Sequence, residues 1–148
     1  MLGAQKGQPG NAFTQFILNH MVAGIVEIDS PSMPHSQTVI TLLRALQKEL
    51  RKKYLLNIAS YLILLVPKGT AKLKAQVIHC GDCRLGTRHD DGNIICQTSV
   101  HTDANSEGLW FSESSCSKPE RHILTRSLNA RHFHTPEMMQ AVLKFQSR

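Results

Sequence analysis

Four side chains, Cys80, Cys83, Cys96 and His101, stand in the pattern Cys-x2-Cys-x12-Cys-x4-His. Thiolates and imidazoles are the donors that Zn2+ takes in closed, four-coordinate structural sites, so this spacing reads as a small metal module. Cys80-Gly-Asp-Cys83 is also a Cys-x-x-Cys, flanked by His79 and Arg84. In that format one thiol attacks a disulfide after a cation or helix N-terminus lowers its pKa. Redox chemistry of this kind wants a strand before the motif and a helix after it, and residues 84–92, with their Gly, Thr and Asp, make a poor helix. His79, His89, Asp90, Asp91, His101 and Asp103 supply bases, acids and ligands by type, but no spacing among them selects a nucleophile and its base. The sequence assigns no catalytic residue and leans towards a protein that is not an enzyme. Structural zinc on Cys80, Cys83, Cys96 and His101 is its one candidate cofactor.

The ligand spacing resembles that of the Cys2His2 zinc fingers, with Cys96 in the third ligand place and with Thr87 and Asn93 where that family carries aromatic and Leu core residues. A finger sets its last two ligands on a helix. Residues 93–100 are instead strand-like in composition, which favours a ribbon-like site turned at Cys80 and Cys83. The remaining account of the same residues is ordinary thiols in an irregular tail.

Charge points to acidic partners. The 148 residues carry a formal net charge of +6, which draws anions without specifying a fold. Arg44, Lys48, Arg51, Lys52, Lys53, Lys68, Lys72 and Lys74, then Arg121, Arg126 and Arg131, are cations of the kind that neutralise phosphates. No aromatics interleave with them for base stacking, so nucleic acid is a partner by charge alone. The cations of residues 48–53 run directly into an apolar stretch at residues 54–66. As a helix that stretch is roughly 20 Å long against a hydrocarbon core of roughly 30 Å, so a transmembrane span is not expected and peripheral membrane contact is the most it offers. The N-terminus is rich in Gly and Gln and lacks a secretory pattern, which places the chain inside the cell, in cytoplasm or nucleus.

The elements that would position these groups follow from periodicity. Residues 1–10 are Gly-rich and poor in apolar side chains, and are expected to be disordered. Asn11 caps a first helix on which Phe13, Phe16, Ile17, Met21, Ile25 and Ile28 share a face. After the two prolines at 31 and 34, Ser36 opens a second helix with Val39, Leu42, Leu43, Leu46, Leu50, Tyr54 and Leu55 at helical spacing, running until Pro67 and Gly69 stop it. A short connector predicts an antiparallel helical hairpin over residues 11–67. An irregular Cys- and His-bearing region with one or two short strands, near residues 75–79 and 94–101, fills 68–117. A basic, partly helical C-terminus covers 118–148, with a helix from 117 to about Ala130 and a short one opened by Thr135-Pro136-Glu137. Residues 102–119, around the sole Trp110, read as a loop.

The expectation is thus a mainly α protein, acting as a helical interaction module for a protein partner, since the apolar content of residues 42–66 exceeds what one short helix can cover. The loss of pattern after Pro67 also fits a fragment or isoform of a larger helical protein. A zinc-stabilised, basic nucleic-acid binder is the alternative.

Overall fold

In the computed structural model, residues 10–26, 36–66, 72–103 and 123–144 are described. The second helical pattern forms α2, Ser36–Lys53, whose Val39, Ile40, Leu43, Leu46 and Leu50 recur at three- and four-residue steps and are all buried. Arg51, Lys52 and Lys53 occupy its last turn, where cations offset the exposed carbonyl ends of the helix. Against it packs α1, Gly10–Val26, which inserts Phe13 and Met21 into the same core and leaves Leu18 and Val22 in solvent.

The apolar run after Lys53 does not continue the helix. The Tyr54 N–H donates to the Leu50 carbonyl at 2.7 Å and the Asn57 N–H to the Tyr54 carbonyl at 3.1 Å. That turn delivers the chain into two short strands, β1 (Ile58–Ala59) and β2 (Tyr61–Leu65). A short Leu- and Ile-rich run is compatible with a buried helix or a buried strand, and what decides here is a partner for its backbone. β2 pairs antiparallel with β3, Lys72–Cys80, through the register Tyr61↔Cys80 to Leu65↔Gln76.

Three further strand pairs complete the described chain. A hairpin joins β4 (Gly86–Arg88) to β5 (Ile94–Cys96), with Gly92 at φ +86° in its loop. The two-residue β6 (Leu128–Asn129) pairs with β1. The Thr135-Pro136-Glu137 segment opens not a helix but β7, Glu137–Lys144, which lies antiparallel to β3 from Lys72↔Lys144 to His79↔Glu137. The sheet order is therefore β2-β3-β7, with β3 central.

The mainly α expectation is thus corrected: among the described residues there are two helices and seven strands. Pairing overrides helical spacing in residues 54–66 and 137–144, and residues 123–130 hold bends and β6 where a helix was predicted. Of the N-terminus predicted to be disordered over residues 1–10, Gly10 instead opens α1, while residues 1–9, the loop around Trp110 and the start of the predicted helix at 117 lie outside the described residues. No helix among the described residues is long and apolar enough to cross a membrane.

Strand alternation splits the sheet into two environments. Tyr61, Ile63 and Leu65 lie on the face of Ile78 and join Phe13, Leu43, Leu46, Leu50 and Tyr54 in the core beneath the helices. Ala75, Val77 and His79 point the other way, together with Glu137 and Ala141 of β7. His79 is fully buried there, so this second face carries a polar group into the interior.

Candidate functional site

The register of β3 and β7 sets His79 directly opposite Glu137, on one face of the sheet. A third group arrives from residues 97–103, which clasp the end of β3 through Gly81. The His101 N–H donates to the Gly81 carbonyl at 2.9 Å, and the Gly81 N–H donates to Nδ1 of the His101 ring at 3.1 Å. On the far side of the same turn, Ser60 Oγ donates to Asp82 Oδ1 at 2.7 Å and accepts from the Asp82 N–H at 3.1 Å. Gly81 has φ +95°, a backbone that glycine adopts without a Cβ penalty, which lets the chain leave β3 and meet both clasps.

This clasp determines where the proton on His101 sits. Because Nδ1 accepts from a backbone N–H, the neutral ring carries its hydrogen on Nε2, and that N–H donates to Glu137 Oε2 at 2.9 Å. His79 lies against it, its ring stacked on that of His101 at 4.8 Å between centroids and 4° between planes. His79 Nε2 is 3.9 Å from the same Glu137 oxygen, too far for a hydrogen bond. Both His79 ring nitrogens are buried with no hydrogen-bond partner among the described residues.

The electrostatics follow from burial. Burial is the main cause that lowers the His79 pKa below the ordinary imidazole value, with His101 and Arg126 adding to it and Glu137 opposing. For Glu137, partial burial pulls upward. The His101 hydrogen bond, the two imidazoles and the Ser99 hydroxyl, 3.4 Å away, outweigh it and hold the carboxyl below its usual range. The Glu137 side chain is 42% exposed, so the cluster opens to solvent at the carboxylate.

Of the four residues singled out by spacing, His101 alone belongs to this cluster. Among the described residues the group whose ligand atoms could hold one ion is His79, His101 and Glu137, all within 4.8 Å of one another. Cys80 alternates to the opposite face of β3, where it is fully buried and hydrogen-bonds with Tyr61. Cys83 follows the turn and Cys96 lies on β5, both half-buried free thiols like Cys80 in oxidation state. Cys116 lies outside the described residues. Burial pushes the Cys80 thiol up to about 11, against the pull of Arg126 and Tyr61, and burial also raises Cys83. Native protein treated with iodoacetamide near neutral pH should therefore lose Cys83 and Cys96 to alkylation well before Cys80. Peptide mapping would check the order, and early labelling of Cys80 would show that the end of β3 opens readily.

Glu137 has no local signature in the sequence, because only the pairing of β7 with β3 brings it to His79. The basic residues are partly engaged within the fold. The Arg44 guanidinium lies 4.1 Å over the Phe133 ring, Arg51 Nε donates to the Ala130 carbonyl at 2.9 Å, and Lys52 pairs with Glu49.

No protein-family model matches the chain, and no curated protein matches it. Among solved structures, the crystal structure of the Mycobacterium tuberculosis serine/threonine phosphatase PstP/Ppp matches with a TM-score of 0.64 and 18% sequence identity, over 91% of this chain and 58% of that one. The chain thus spans a little over half the length of that phosphatase, and at this identity the likeness establishes the fold. That fold is α/β, which overturns the mainly α helical-hairpin interaction module.

Proposed function

We propose that the chain is a serine/threonine-phosphatase-like unit that engages phosphorylated serine or threonine on protein partners and hydrolyses the phosphate ester. The observation that carries this reading is the extent of the fold likeness, which takes in 91% of the chain. The net charge of +6 supports it, because a basic surface raises the local concentration of a dianionic phosphate ester. Hydrolysis of such an ester calls for a positioned water and for positive charge to stabilise the transferring phosphoryl group.

The test is phosphate release by the purified chain from phosphoserine and phosphothreonine peptides and from a small aryl phosphate, with and without added Mg2+, Mn2+ or Zn2+. Release of phosphate that stops on chelation is the expected result. A folded chain that neither releases phosphate under any of these conditions nor binds the phosphopeptides would overturn the reading.

A further inference from the structure

We propose that His79, His101 and Glu137 form a binding site for a single divalent transition-metal ion of the zinc class. The site is independent of the phosphatase reading. Two imidazoles and one carboxylate are a donor set that suits a borderline ion, whereas Mg2+ and Ca2+ prefer oxygen ligands.

Two separate observations point to a ligand. The first is geometric. A tetrahedral ion with ligands about 2.0–2.2 Å away sets its donor atoms roughly 3.3–3.6 Å apart. The His101–Glu137 separation of 2.9 Å and the His79–Glu137 separation of 3.9 Å lie on either side of that range. The third edge, between the imidazoles, is at most 4.8 Å, and ligation of one ion by both requires the stacked rings to turn towards the carboxylate. The second observation is the His79 side chain, fully buried with neither ring nitrogen hydrogen-bonded among the described residues. A buried polar group left in that condition is costly, and coordination through Nε2 removes part of the cost. The half-exposed Glu137 supplies the route by which an ion enters.

Ligation moves one proton. The neutral His101 ring carries its hydrogen on Nε2, facing Glu137, so an ion taken at Nε2 shifts that hydrogen to Nδ1. Nδ1 then ceases to accept, and the Gly81 N–H loses its bond to the ring. Metal binding is therefore coupled to the turn that ends β3.

The experiment uses the full chain, stripped with chelator and titrated with Zn2+ and Co2+ under native mass spectrometry and absorption spectroscopy. Three variants are compared: His79→Leu, Glu137→Gln and a triple Cys80→Ser, Cys83→Ser, Cys96→Ser chain. The expected result is one ion per chain and a Co2+ spectrum without a thiolate charge-transfer band. Affinity should fall at least tenfold in His79→Leu and in Glu137→Gln and be kept in the triple variant, with the Gly81 amide resonance moving on Zn2+ addition. His79→Leu keeps an apolar volume in the buried position, and Glu137→Gln changes an exposed group, so the two are unlike in their folding risk. Absence of stoichiometric binding would overturn the proposal. So would binding that survives both single variants and is lost with the cysteines, because the ion would then sit on the thiols.

Discussion

Leu46→Ala should destabilise the chain by about 3–4 kcal/mol, lowering Tm by roughly 6–15 °C in a two-state unfolding experiment. Leu46 has no exposed surface and lies midway along α2, between the helix layer and the Ile78 face of the sheet. Removing three of its carbons takes away their transfer free energy and leaves a cavity lined by neighbours such as Leu43, Leu50 and Tyr54, which secondary structure holds in place. Leu18→Ala is the matched control. Leu18 is 52% exposed on α1, and its truncation should change stability by well under 1 kcal/mol. Equal effects of the two substitutions would mean that α2 does not pack on the sheet.

Gly81→Ala should be the most damaging change outside the core, at about 3 kcal/mol, because two costs combine at one position. The first is conformational, since φ is +95°, where a side chain is strained. The second is steric: an added Cβ would meet the Ser60 hydroxyl and come within 3.0 Å of the Ser60 Cα. Ser60 cannot retreat without giving up its hydrogen bonds with Asp82. Gly92→Ala separates the two costs. Its φ of +86° is similar, but nothing lies within 4 Å of the added carbon, so it should show only the backbone part, about 1–2 kcal/mol. Chemical denaturation of both variants would measure the difference. In Gly81→Ala the His101 ring should also lose its backbone donor, which would appear as a changed imidazole tautomer in nitrogen NMR.

Parts of this molecule are readable in the amino-acid string, and the reason is locality. Val39, Leu43, Leu46 and Leu50 repeat at the period of one helix, and each needs only its near neighbours to declare a buried face. Residues 54–66 defeat the same logic. Their apolar density fits a helix as well as a strand, and the deciding partner, β3, comes later in the chain. Thr135-Pro136-Glu137 has the composition of a helix start, yet the backbone that follows is claimed by the unpaired side of β3.

The cluster was harder still to read. Spacing favours residues close in sequence, such as Cys80 and Cys83, while alternation sends Cys80 to the face away from His79. His79, His101 and Glu137 come from a strand, a loop and a second strand, and no window of the sequence contains all three. Glu137 in particular becomes visible only when residues 137–144 are read with a period of two and placed in register.

The central position of β3 also sets an order of events during synthesis. β2 and β3 are separated by a short connection and can zip together soon after both leave the ribosome, but residues 81–136 must be made before β7 can reach the other side of β3. At about 5–20 residues per second, a nascent chain waits seconds with an apolar strand open along one edge. His79 passes that interval paired with Leu62 of β2 but without Glu137 of β7, so the last pairing to form is the one that assembles the cluster. A chain stalled before Glu137 would expose β3 to any other extended segment, and nascent copies held there are the ones that a chaperone would need to cover.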